Sequence, residues 1–370
     1  MRRSYPDCIM NAKPIRLLVV DDSALARKII TSSLAPFADI EVVGTAVDPY
    51  VARDMILELN PDVVTLDIEM PRMDGVTFLK VIMKHRPMPV IIMSSITPAG
   101  SVKALEALQA GAVDVMEKPG SPHSAHADGA RLAEKIRVAA GARVWARADD
   151  GALPARQPAR AIGPRGTGLR PIPGRRIILL GASTGGTEAL KTLLTSLRGD
   201  LPGICIVQHI PAYFSKAFAE RLDQICPMEV REAAHLDIVQ PGLALIAPGG
   251  RHMLLKWRAD HYVVELNDGP PVHHQRPSVD IMFDSAVKAG AGPHTVAAVL
   301  TGMGADGAAG LLRLRQAGAA TAAQNEETCV VFGMPREAVR LGAAQRVLAL
   351  SNIGAFLEQE NLEPIQQIHE

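Results

Sequence analysis

From residue 15 onward, short and almost wholly apolar runs alternate with amphipathic stretches. Residues 15–20, 41–46, 62–66, 90–93 and 112–116 read as strands. Residues 23–34, 49–59, 75–85, 102–110 and 128–140 read as helices. Strands covered on both faces lack the apolar–polar alternation of a half-exposed sheet. Five such strands alternating with five helices predict a parallel, doubly wound α/β domain.

Residues 141–176 break that pattern: eleven of these thirty-six are Gly or Pro. Arg143, Arg147, Arg156, Arg160, Arg165, Arg170, Arg175 and Arg176 face only Asp149 and Asp150. This composition predicts a solvated, flexible linker, with an anion-docking segment as the alternative. The alternation then restarts. Strands are expected at 176–180, 203–208, 295–300 and 320–323, and helices at 186–197, 215–224, 279–289, 308–317, 335–341 and 352–360. Residues 252–258 and 261–266, joined across Ala259-Asp260, read as an antiparallel hairpin. The expected organisation is an N-terminal extension (1–14), an α/β domain (15–141), a basic linker (142–175), a second three-layer α/β/α domain with an antiparallel hairpin (176–360) and a polar tail (361–370).

Composition narrows the function classes. The 370 residues carry 39 Lys+Arg against 39 Asp+Glu, so no overall field draws the chain to nucleic acid or an acidic membrane. Aromatics are 4%, too few for base-stacking platforms. No run approaches the ~20 apolar residues that span a bilayer, and no signal-peptide stretch follows Met1. Cys8, Cys205, Cys226 and Cys329 are too scattered for a metal knuckle and read as reduced thiols. A cytoplasmic protein without membrane insertion is expected, and a monomer.

Ligands of a parallel sheet gather beyond the carboxyl ends of its strands. In the first domain those ends carry Asp21 and Asp22, Asp67, Ser94, and Lys118 followed by Pro119. Single aspartates after strands are commonly helix caps. Three converging on one rim repel one another unless a hard cation such as Mg²⁺ joins them. Val20-Asp21-Asp22-Ser23, the run from Leu66 to Gly75, Met93-Ser94-Ser95 and Glu117-Lys118-Pro119 together resemble a two-component receiver domain. The resemblance implies a flavodoxin-like (βα)5 fold and phosphorylation of Asp67 by a histidine kinase. It further implies Mg²⁺ held by Asp22, Asp67 and the Glu69 carbonyl, with Asp21 acting through water. Lys118 would pair with the acyl phosphate, Ser94 would move toward it, and Lys118–Pro119 is expected to be cis.

In the second domain the strand ends carry Ser183, His209 and, in the loop after residue 300, Asp306. This is the inventory of an activated hydroxyl nucleophile. Ser183 would attack a carbonyl, His209 would take its proton, and Asp306 would hold the imidazole. Backbone N–H groups near Thr184 and Met303 are oxyanion candidates. Each residue also has a bland reading, as a helix cap or a hydrogen-bonded loop side chain. His252 is a rival base that spacing does not exclude. His273-His274 hints at a metal, but no carboxylate or thiol stands at a helical spacing from it. His123 and His126 read as loop residues without chemistry. Gly181-Ala-Ser183-Thr-Gly185 fits a nucleophile elbow, yet the order Ser, His, Asp differs from the α/β-hydrolases. The 302–307 stretch fits Gly-x-Gly-x-x-Gly, with Glu326 and Glu327 about twenty residues on, but it comes late for a dinucleotide site.

Residues 178–186, Gln208-His209-Ile210-Pro211, Ala247-Pro248-Gly249-Gly250-Arg251-His252, Arg276-Pro277-Ser278-Val279-Asp280 and residues 300–307 resemble the catalytic domain of the chemotaxis protein-glutamate methylesterases. The resemblance implies the triad Ser183, His209 and Asp306 and disfavours His252 as the base. It implies γ-glutamyl methyl esters and certain glutamines on methyl-accepting chemoreceptors as substrates, with a chemotaxis histidine kinase upstream and no cofactor for hydrolysis. In this family the unphosphorylated receiver covers the catalytic rim. The rival expectation is a non-catalytic response regulator whose second domain only binds a receptor or scaffold.

Overall fold

A computed structural model describes residues 13–94, 97–118, 125–144 and 175–362, with the backbone alone at 98–99, 125–128 and 361–362. Most of the extension, linker and tail lie outside these residues, as do Cys8, Ser95, Pro119 with its expected cis bond, and His123; the side chain of His126 does too. The chain forms two compact units.

The first comprises β1 (Ile15–Val20), α1 (Ala24–Leu34), β2 (Ile40–Ala46), α2 (Pro49–Leu59), β3 (Val63–Asp67), α3 (Gly75–His85), β4 (Val90–Ser94), β5 (Asp114–Glu117) and α5 (Ala125–Ala140), while α4 (Pro98–Gln109), which follows β4 in the chain, groups with the second unit. The five strands are parallel in the order β2-β1-β3-β4-β5. Every residue of β3 and β4 is buried, as strands covered on both faces require. Helix starts follow side-chain caps: Ser23 accepts from the Ala26 N–H, Asp48 from Tyr50 and Val51, and Asp74 from Thr77. The chain leaves β1 toward β2 on one side and returns to β3 on the other. That reversal opens a crevice where the loops after β1 and β3 meet.

The second unit comprises β6 (Ile177–Ala182), α6 (Gly186–Ser196), β7 (Gly203–Gln208), α7 (Phe214–Asp223), β8 (Glu229–Glu232), β9 (Ile238–Val239), β10 (Leu243–Ile246), β11 (His252–Arg258), β12 (His261–Asn267), α8 (Val279–Lys288), β13 (Thr295–Val299), α9 (Ala308–Gln316), β14 (Ala320–Gln324), α10 (Met334–Arg340), β15 (Arg346–Leu348) and α11 (Leu350–Leu362). Seven parallel strands run in the order β15-β14-β13-β6-β7-β10-β8. The expected hairpin β11–β12 forms, and β9 extends it to three antiparallel strands. Alternate residues of β6 face opposite sides. Ile177 and Leu179 join a core that includes Val207, Leu245, Met253, Val264, Phe283, Leu311 and Met334. Leu190, Leu193 and Leu194 of α6 and Ile353 and Leu357 of α11 are also buried. Cys205, Cys226 and Cys329 are buried and in no disulfide, and burial pushes the Cys226 thiol up to about 12. No helix among the described residues is long and apolar enough to cross a membrane.

Candidate active site and phosphoacceptor site

Neighbouring strands β13, β6 and β7 carry the three expected residues on the loops after their carboxyl ends. Ala182 pairs with Gln208 in register, and the His209 N–H donates to the Ala182 carbonyl at 3.0 Å. Ser183 and His209 therefore leave adjacent strands side by side. Ser183 sits on a tight strand-to-helix turn. Its carbonyl accepts from the Gly186 N–H at 2.7 Å, and Gly185 takes φ +76°, a left-handed conformation that favours glycine. A Cβ at Gly185 would also lie 2.6 Å from Val330 Cβ.

His209 donates from Nε2 to Asp306 Oδ2 at 2.8 Å, with both side chains almost fully buried. The same carboxylate tops helix α8. Oδ1 accepts from Ser278 Oγ (2.8 Å) and the Asp280 N–H (3.0 Å), and Oδ2 also accepts from the Val279 N–H (2.7 Å). Burial would raise the Asp306 pKa, but the His209 bond and the amides of Asp280 and Val279 outweigh it, and the net shift is downward. Asp306 is thus a fixed anion. It leaves the His209 proton on Nε2 and the basic lone pair on Nδ1, which is buried and has no partner among the described residues. The Ser183 hydroxyl is not hydrogen-bonded to it here; such bonds commonly tighten only when substrate is bound. Of the oxyanion candidates, Thr184 is buried next to the serine in the chain, and Met303 is half-buried in the loop after β13.

The rival base is otherwise occupied. His252 is buried; its Nδ1 accepts from the Ser278 N–H at 3.2 Å and its Nε2 bonds the Pro270 carbonyl at 3.0 Å. A turn, and not a helical spacing, brings a carboxylate to His273. His273 and His274 are the two left-handed tip residues of a turn closed by Val272 and Gln275, and that turn brings His273 Nε2 to 3.2 Å from Asp280 Oδ2. His273, Asp280 and Asp306 each offer a ligand atom within 4.8 Å of one another. Asp306 already accepts four hydrogen bonds, which fills its lone pairs and argues against a metal there. In the glycine loop at 302–307, which carries Asp306, Gly304 and Gly307 take φ +82° and +85°. Ser278 is the residue sequence reasoning missed; as N-cap of α8, with its hydroxyl also accepting from Ile281 N–H, it fits a cap signal legible in Ser278-Val279-Asp280.

In the first unit, Asp21, Asp22 and Asp67 each place an oxygen within 4.8 Å of the others. Lys118 Nζ lies 2.7 Å from Asp67 and 3.2 Å from Asp21. Burial pushes the Asp67 carboxyl up to about 6, against the pull of Lys118 and of the Glu69 N–H at 3.1 Å, while Asp21 adds to the rise. Burial would lower the Lys118 pKa, but the two carboxylates raise it overall. Ser94 is buried at the end of β4, its carbonyl accepting from the Lys118 N–H at 2.9 Å. Three hard oxygen donors with one compensating ammonium fit Mg²⁺.

The family model described as CheB methylesterase matches residues 178–357, and that of the response regulator receiver domain matches residues 17–137. A protein of Syntrophus aciditrophicus (strain SB) named protein-glutamate methylesterase/protein-glutamine glutaminase 2 is 53% identical over 339 residues, covering 92% of this chain and 97% of its own length. Protein-glutamate methylesterase/protein-glutamine glutaminase 4 of Anaeromyxobacter dehalogenans (strain 2CP-C) is 52% identical, with 92% and 93% covered. Among solved structures, the Thermotoga maritima CheB methylesterase catalytic domain is 36% identical, covering 50% of this chain and 97% of its own, with a TM-score of 0.49.

Proposed function

The chain belongs to the CheB methylesterase family and carries a receiver domain ahead of the catalytic one, and from that premise we propose that Ser183, His209 and Asp306 hydrolyse glutamyl methyl esters on chemoreceptors. The enzyme is a phosphorylation-regulated protein-glutamate methylesterase and protein-glutamine glutaminase. A non-catalytic second domain is not favoured, since its relatives are named as enzymes over almost their whole length.

Ser183 Oγ bonds to the ester carbonyl carbon as its proton passes to His209 Nδ1. The carbonyl oxygen becomes an oxyanion facing the Thr184 and Met303 N–H groups, an arrangement often worth ~3–4 kcal/mol. Collapse breaks the bond to the methoxy oxygen, which takes the proton from Nδ1 and leaves as methanol. Water then attacks the acyl-enzyme, giving its proton to Nδ1, and that proton returns to Ser183. For a glutamine the leaving group is ammonia. Throughout, Asp306 stabilises the imidazolium. The observation that carries this reading is the 2.8 Å bond from His209 Nε2 to Asp306, which leaves Nδ1 without a partner on the strand end next to the one that bears Ser183.

A histidine kinase supplies the phosphoryl group, and Asp67 accepts it. Asp21, Asp22 and Asp67 would hold Mg²⁺, with the Glu69 carbonyl as a further ligand. When bound, Mg²⁺ neutralises the carboxylates and binds a phosphoryl oxygen. Lys118 then pairs with the acyl phosphate, and Ser94 is the hydroxyl that follows it. A cytoplasmic location goes with these proposed partners, the histidine kinase and the cytoplasmic helices of the chemoreceptors. The test is to incubate the protein with methyl-labelled receptor membranes and follow volatile label. Release by the wild type and none by Ser183→Ala is expected; release by the folded variant defeats the nucleophile assignment.

A further inference from the structure

Gln208 ends β7 with its side chain almost wholly buried, 3% exposed. Its Nε2 donates to the Ser183 carbonyl at 2.8 Å and to the His209 carbonyl at 3.1 Å. Among the described residues it is the one side chain bonded to the backbone of both. Its Oε1 is buried without a partner and lies over the start of α6, 2.1 Å from where a Cβ on Gly186 would sit. Turning the amide over would set Oε1 against two carbonyl oxygens, so the donor orientation is fixed by chemistry. The arrangement leaves an acceptor unsatisfied in order to keep both amide hydrogens on these two carbonyls.

The Ser183 carbonyl and the Thr184 N–H are opposite edges of one planar trans peptide. Gln208 and the Gly186 N–H, at 2.8 and 2.7 Å from that carbonyl oxygen, therefore set the direction of the Thr184 N–H. They also draw electron density onto the oxygen, which strengthens the N–H as a donor. The second bond ties the same side chain to the residue that acts as base.

We propose that Gln208 is a positioning residue for ester hydrolysis, one amide that holds the oxyanion-donating peptide and the backbone of the general base in fixed relation. The inference rests on the assignment of Ser183 and His209 above. A group acting this way favours the transition state over bound substrate, so its loss should appear in kcat.

The full-length protein carrying Gln208→Met is compared with wild type on methylated receptor membranes, with active sites counted by a fluorophosphonate that labels Ser183. We expect kcat per site to fall about 10- to 100-fold, KM to stay within about twofold, and Ser183 labelling to slow in parallel, on the scale of losing or misplacing one oxyanion donor. A kcat per site within twofold of wild type overturns the inference, even if the melting temperature drops. Should the methionine variant not fold, Gln208→Glu reads the same question. Its neutral acid keeps one O–H donor, so its activity relative to wild type should rise as pH falls through the carboxyl titration; a flat ratio overturns the proposal. Ser183→Ala separates the two levels. Retained methanol release there removes the premise, whereas a dead Ser183→Ala beside a fully active Gln208→Met removes the role of Gln208 alone.

Discussion

His209 and Asp306 are 97 residues apart in the chain and share a 2.8 Å hydrogen bond from Nε2 to Oδ2. The carboxylate is held on its far side by Ser278 and by the first amides of α8, so it cannot turn away. The imidazole is oriented by an anion that is itself anchored to a helix. Replacing Asp306 by Asn keeps the shape but offers an amide whose one oxygen cannot serve four donors. It also lets the histidine adopt the wrong tautomer. We expect Asp306→Asn to lower kcat by ~10³–10⁴-fold, as such changes do in hydroxyl-nucleophile hydrolases. Methanol release under saturating receptor is the measurement, and a loss under tenfold would contradict the assignment.

The same carboxylate predicts an acid limit. Its pKa is depressed in the fold, so it contributes stability that is present above the ordinary carboxylate range and lost as pH falls through the folded value. The wild type should lose stability below about pH 4 more steeply than Asp306→Asn does, as seen in denaturant midpoints taken across pH. Equal slopes would mean that Asp306 is not the anion that the geometry describes.

His252 gives the opposite expectation. Both ring nitrogens are used, one by the Ser278 N–H and one by the Pro270 carbonyl, so neither remains to take a proton from a nucleophile. Its work is to fasten the loop before α8. His252→Leu leaves a buried N–H and a carbonyl unpaired, which costs about 1–3 kcal/mol each. The melting temperature should fall while kcat per folded molecule stays within a few-fold. A folded variant without turnover would restore His252 as the base.

Much of this was legible in the chain. Strands buried on both faces leave dense apolar runs, and the residues that follow them lie on one rim, so Asp21, Asp67, Ser183 and His209 could be placed without coordinates. The edge elements were not. β8 is Glu-Val-Arg-Glu with one buried residue, and β15 is three residues with none buried. The fully buried β10 is an apolar run, but at four residues it is too short to separate from the hairpin beside it. Partners across loops were hidden as well. Nothing in spacing says that Ser278 caps both its own helix and Asp306, that it occupies His252, or that a turn of two left-handed histidines carries His273 to Asp280.

Gly302 tests how closely the nucleophile is seated. A Cβ there would lie 2.6 Å from Ser183 Cβ and 2.5 Å from Met334 Sδ. The methionine can yield, but the serine is held on its own turn by the amides of Gly186 and Gln208. Overpacking of this kind costs about 1–3 kcal/mol. Gly302→Ala should therefore lower stability by that amount and also slow Ser183 labelling by a fluorophosphonate at least tenfold, since a serine moved by half an ångström no longer meets its base. Loss of stability with unchanged labelling would show that the serine is not confined by this glycine.

Asp67 joins the regulatory reading to a measurable titration. Burial holds its carboxyl near 6, so the folded state keeps a proton there that the unfolded chain gives up nearer 3.8. The stability tied to that proton is present below 3.8 and is lost as pH rises through about 6. The nucleophilic carboxylate appears over the same window. Without Mg²⁺, a carboxyl carbon resonance assigned to Asp67 should titrate near pH 6, and adding Mg²⁺ should move the inflection down, because the cation selects the carboxylate. Phosphorylation by a small phosphodonor should then persist at more acidic pH with the metal than its metal-free titration would allow. Asp67→Ala removes the acceptor while leaving the catalytic unit as it is. It should abolish stimulation of methanol release by the phosphodonor and leave basal release within about twofold. Stimulation that survives in this variant would place the phosphoryl group on another residue, and an inflection that ignores Mg²⁺ would remove the metal from the Asp21, Asp22 and Asp67 cluster.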